Sequence, residues 1–184
     1  MNTREYYLQL LNKHISNPKM IAHSIASEAV LRALARKFGE NEDVWGIAGL
    51  LHDIDVEITN ADSKTHGLVG AEMLANELPA DAVDAIKMHN ECAVGIPRST
   101  RFQHALAAGE TITGLIFATA LVYPDKKIES VKVKSVTKRM KEKIFAASVK
   151  RENILECEKI GISIDEFVDI SLSALRPIAA ELGF

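Results

Sequence analysis

Residues 17 to 39 spell out both ends of a helix as well as its apolar face, and this punctuation recurs along the chain. Asn17 is a good N-cap, Pro18 suits a first helical position, and Gly39 suits the left-handed residue at which helices stop. Between them Ile21, Ile25, Leu31, Leu34 and Phe38 roughly follow helical spacing. Asn41 then caps a second apolar run, Val44, Ile47, Leu50 and Leu51, which ends near His52. A polar loop with Asn60, Asp62 and Ser63 follows. "HGLVGAEMLANEL" reads as a short helix opened by His66, and "PADAVDAIKMHN" restarts after Pro79 with Val83 and Ile86 inward. Ser99 is expected to open a long apolar helix through "HALAAGETITGLIFATALV", closed by Pro124. Ser163 and Glu166 have capping-box spacing, and Pro177 should interrupt the final helix. Only Ile128 to Val136 partly alternates as a strand would. The fold class expected is therefore all-α.

Composition narrows the setting. The 184 residues suffice for one domain with a sizeable core, and a 47% hydrophobic content argues for a globular chain. Two cysteines, Cys92 and Cys157, form no CxxC pair and suit a reducing cytoplasm. The start of the chain is polar, and the longest uncharged run, Thr111 to Pro124, falls short of the roughly 20 residues of a spanning helix. A cytoplasmic protein without a membrane partner is expected. A net charge of −3 does not point to nucleic acid. The charge is uneven, however. Lys126 to Arg151 holds ten basic and two acidic residues, about +8, and leaves about −11 for the rest. Such a segment is either a solvated face or a surface that attracts phosphates or an acidic partner.

The chemistry concentrates in "AGLLHDIDVEIT". An apolar helix ends there in His52 and Asp53, with Asp55 and Glu57 behind. Imidazole nitrogen and carboxylate oxygen are ligands for borderline transition metals. Neighbours on a helix project about 100° apart, at 3.6 residues per turn, so His52 and Asp53 share an ion only beyond the helix end or between helices. The two oxygens of Asp53 could also bridge two ions. Further along, Glu110 sits in an otherwise apolar helix, where a carboxylate is costly unless paired or metal-bound. Asp55 and Glu57 read as solvated or supporting groups rather than ligands.

The ordered set His23, His52-Asp53, His66, His89 and Glu110, on successive helices, resembles the HD-domain superfamily of metal-dependent phosphohydrolases. "LLHDID" is similar to the "LLHDIG" signature of its HDIG-type members. The resemblance covers about residues 17 to 125 and leaves the basic and C-terminal helices, 126 to 184, outside the motif. It implies one HD-type helical bundle over residues 1–184, with extra C-terminal helices. It also implies one or two divalent ions (Fe, Mn, Co, Ni or Zn). His23, His52 and Asp53 would hold the first ion, His66 and His89 the second. Asp53 would bridge as the catalytic carboxylate, and Glu110 would complete the first shell. The chain departs from the family in carrying Glu110 where Asp is usual, Asn90 after His89, and Asp55 in place of glycine. A single ion on His23, His52, Asp53 and Glu110 stays open. The implied function is hydrolysis of a small phosphorylated substrate. Lys64, close in sequence to His66, either offers a cation to the phosphate or is a solvated loop lysine. A di-iron oxygenase on the same ligands and a non-catalytic nucleotide-binding module are the alternatives.

Overall fold

The computed structural model describes residues 2–184. Helix α1 spans Arg4–His14, capped by the Thr3 hydroxyl, which accepts from the Tyr6 amide. Of its residues only Tyr7 and Leu11 are fully buried, with Leu8 and Leu10 half-buried against the core. Helix α2, Pro18–Phe38, begins at Asn17, whose side chain accepts from the Lys19 amide, and ends at Gly39 with φ +69°. Helix α3, Glu42–Leu51, is capped by Asn41, which accepts from the amides of Asp43 and Val44. The chain then runs through turns to α4, Leu68–Leu74. That helix opens two residues later than expected, because His66 and Gly67 belong to the turn.

Helix α5 covers Ala80–His89 and α6 covers Glu91–Val94. Helix α7, Arg101–Leu121, is opened by Thr100 rather than Ser99: Thr100 and Gln103 cap each other reciprocally, which satisfies two orphan amides. By length and composition α7 could cross a bilayer, yet 72% of its most apolar stretch is buried in the body of the protein. It is the core helix, packed against α2 and α5.

The ambiguous segment is helical. A 3-10 turn at Ile128–Ser130 leads to α8, Val133–Met140, and no strand occurs among the described residues. Ile128, Val131 and Val136 bury against the body at irregular spacing, which mimicked alternation. The basic stretch is not one helix either. It breaks after Met140 into turns and resumes as α9, Arg151–Ile154, then α10, Glu156–Lys159. Helix α11, Ile164–Leu175, is capped by Ser163, and Pro177 turns its continuation into a 3-10 segment, Arg176–Ile178.

Helices α2 and α3 meet backbone to backbone in the core. A Cβ on Gly49 would lie 2.7 Å from the Ser27 carbonyl oxygen, so only glycine lets the backbones meet there. That contact holds the helix of His23 beside the helix that delivers His52.

Candidate metal centre

Asp53 sits just past the end of α3, beside the C-cap residue His52. His52 is fully buried and Asp53 is 8% exposed. Around the Asp53 carboxylate four imidazoles converge from different elements. His23 comes from α2, His52 from the end of α3, His66 from the following turns and His89 from the last residue of α5. Two sets have ligand atoms close enough to share an ion: His23, His52 and Asp53, and Asp53, His66 and His89. Asp53 belongs to both.

Each ring is held by its Nδ1. His52 Nδ1 lies 2.8 Å from the Gly49 carbonyl, and His89 Nδ1 lies 2.6 Å from the Ile86 carbonyl. A carbonyl only accepts, so both rings donate there. His23 Nδ1 meets the Thr113 hydroxyl at 2.8 Å. That hydroxyl donates its single proton to the Glu110 carbonyl, so it accepts from His23. His66 Nδ1 meets Asp55 Oδ1 at 2.8 Å. All four Nε2 atoms therefore face inward. His66 Nε2 is 3.0 Å from Asp53 Oδ1 and 3.0 Å from His89 Nε2, and His23 Nε2 is 3.2 Å from His52 Nε2. Two Nε2 lone pairs at that distance repel unless a proton or a cation lies between them. Such anchoring of the outer nitrogen fixes tautomer and aim in metal-ligating histidines.

Asp55 is the part of this arrangement that sequence reading placed only loosely. It is fully buried, and its Oδ2 accepts from the amides of Gly67 and Gly70, 2.8 Å each. Gly67, at φ +87°, presents its amide to Asp55. Glu57 instead accepts from the Ser16 and Asn17 amides and pins the start of α2. Two residues support the cluster in roles that the sequence does not mark. Asn90 donates to the carbonyls of Ser63 and His66, and buried Arg98 donates to those of Met88 and His89. No local signal marks either residue, because their partners are backbone atoms brought close only by the fold.

Electrostatics follow from burial among like and unlike neighbours. Burial, then the neighbouring His52, pushes His23 down to about 4. Burial works against charging His66, but hydrogen bonds to Asp53 and Asp55 outweigh it and lift that ring to about 10. Burial opposes ionisation of Asp53, yet His52, His66 and His89 hold it well below the usual carboxylate range. Glu110 is raised by burial, with the Asp53 charge adding to it.

Glu110 Oε2 stands 3.9 Å from His23 Nε2, beside the first set and outside the tight grouping. Its other oxygen accepts from the Thr111 hydroxyl. Lys64 is exposed on its loop and does not line the cleft over the cluster. That cleft, about 290 Å³, is walled by Glu110 and Asn90 on one part and by Ser148, Val149, Lys150 and Asn153 on another. The one lysine or arginine of this lining is Lys150, from the basic stretch. His14 ends α1, and His104 pairs with Glu156, both apart from the cluster.

No curated protein and no solved structure matches the chain. A model of the HD domain matches residues 20–121, more than half of the sequence. That span carries every clustered side chain from His23 to Glu110, and the chain belongs to the HD-domain superfamily of metal-dependent phosphohydrolases.

Proposed function

We propose that this protein hydrolyses a small phosphate ester at a centre of two divalent ions. The observation that supports the reading most is the ring of four inward Nε2 atoms around one shared carboxylate. His23, His52 and Asp53 would hold one ion, with Glu110 beside them. His66, His89 and Asp53 would hold the other. Bound there, divalent ions supply Lewis acidity toward a phosphoryl oxygen and bring water into nucleophilic range near neutral pH. The chain's own residues do the rest. Asp53 keeps the two sets in register, and Asp55 keeps the His66 ring turned inward. Lys150 draws the phosphate to the cleft mouth, and the limited volume favours a small substrate. Neutral and anionic donor atoms in this mixture suit iron, manganese, cobalt, nickel or zinc.

The test is release of inorganic phosphate from a panel of phosphomonoesters by protein reconstituted with each of these metals. Turnover is expected with at least one of them and is lost in Asp53→Ala together with bound metal. Lys150→Ala should raise KM several-fold and leave kcat within about twofold, as expected when a binding contact equal in ground and transition states is lost. Oxygen consumption by the iron-loaded protein without phosphate release would replace this reading with an oxygenase.

A further inference from the structure

The cleft uses one lysine of the basic stretch and leaves the rest unexplained. A second cavity of about 620 Å³ adjoins the 141–150 turns at Lys141 and Arg151, and its lining also includes Lys134, Thr137, Lys138, Met140, Leu155, Ile164 and Asp165. Its chemistry is divided. Met140, Leu155 and Ile164 make an apolar floor, and Leu155 is 41% exposed although large and apolar. Lys134, Lys138 and Lys141 recur at one face of α8 and its continuation. Lys138 has a loose partner in Glu142 at 3.9 Å, whereas Lys134 and Lys141 meet no carboxylate within ion-pair distance among the described residues. Asp165 is the single acid of the lining.

An inorganic anion would satisfy the lysines and leave the apolar floor wet. A purely apolar ligand would leave three ammonium groups facing it. We infer that this cavity binds a nucleotide, with its phosphates at Lys134, Lys138, Lys141 and Thr137, its base on Met140, Leu155 and Ile164, and its sugar hydroxyls toward Asp165.

The position gives such a ligand a route to the cleft. Arg151 lines the cavity and at the same time holds the turns together. Its Nη1 donates to the carbonyls of Ala146 and Val149 at 2.8 and 2.7 Å, and its Nη2 donates to that of Phe145 at 2.5 Å. Those turns end in Ser148, Val149 and Lys150, which wall the cleft over the histidines. Phosphates beside Arg151 bias how firmly that wall is held. A nucleotide here is an effector, distinct from whatever is hydrolysed at the metal cluster.

Binding of a fluorescent mant-ADP probe, followed by titration, separates the two sites. The wild-type protein and Asp53→Ala should bind it equally, and Lys134→Glu with Lys141→Glu should weaken binding at least tenfold without altering metal content. Inorganic diphosphate should compete poorly. Hydrogen exchange across residues 141–150 should slow when the probe is bound. Loss of binding in Asp53→Ala would place the nucleotide at the metal cluster and overturn the inference. Unchanged binding in the double lysine variant, or equal competition by diphosphate, would overturn it as well. These readouts need no turnover, so they stand or fall independently of the hydrolase reading.

Discussion

Asp55 shows how one side chain behind the cluster can set the aim of a donor within it. Its carboxylate is fixed by two glycine amides and passes that rigidity to His66. Asp55→Asn keeps the shape but can offer an amide N–H to Nδ1, which would turn the wrong tautomer toward the cluster. Metal affinity at the second set is expected to fall about 10- to 100-fold, the usual cost of losing such a support, while the first set stays filled. Elemental analysis against free-metal concentration reads this directly, and an unchanged affinity would demote Asp55 to packing.

The two perturbed histidines also give the metal-free protein a signed pH dependence. His66 is raised from 6.5 to about 10, so its contribution is complete below the unfolded value and is lost as pH climbs toward 10. His23 is lowered to about 4, so the unfolded chain takes up more protons between 6.5 and 4, and stability falls as pH drops through that window. Denaturant melts of chelated protein should therefore weaken on both sides of about pH 6.5. Around pH 8, metal must displace the His66 proton, so calorimetry in buffers of different ionisation enthalpy should show proton release on binding.

At the scale of elements, the site depends on how closely α2 and α3 approach. Gly49→Ala places a methyl 2.7 Å from the Ser27 carbonyl oxygen, and backbone cannot yield as a side chain end can. Overpacking of this kind costs about 1–3 kcal/mol. At 150–250 residues each kcal/mol moves Tm by about 2–4 °C. A fall in Tm of several degrees, with weaker metal binding at the first set, is expected. A neutral outcome would mean the helices separate freely. Helix starts were legible where a cap and an apolar period coincide, as at Asn17 and Asn41. They were misplaced at Ser99 and His66, where adjacent residues compete for the cap or a turn intervenes. The break after Met140 left no mark, because Arg151 stabilises those turns by reaching back to their carbonyls.

For the molecule as a whole, metal held at this cluster would act as a fastener. The proposed ligands come from α2, the end of α3, the turns after it and α5, so unfolding must scatter them. A ligand at 100 times its dissociation constant stabilises the folded state by about 2.7 kcal/mol. Stripping the metal with a chelator should then lower Tm by about 5–10 °C, and Asp53→Ala should melt alike with and without chelator. A metal-independent Tm in the wild-type protein would argue against ligation at the cluster.

Fold class was written into local sequence, since caps and apolar period act within a few residues and need no distant partner. So was the ordered series from His23 to Glu110, because donor chemistry belongs to residue type and its order to the chain. What sequence could not specify was which groups meet across it. Lys64 stood near His66 in sequence yet faces solvent, and Lys150, remote in sequence, lines the cleft. Asn90 and Arg98 hold backbone carbonyls that only packing brings within reach. The inward aim of four Nε2 atoms rests on hydrogen bonds from their Nδ1 atoms, two of which span 11 and 90 residues. The first closes when the turns after α3 fold back on themselves and the second only when α7 packs against α2, so tertiary structure decided the geometry of a site whose ingredients were already in the sequence.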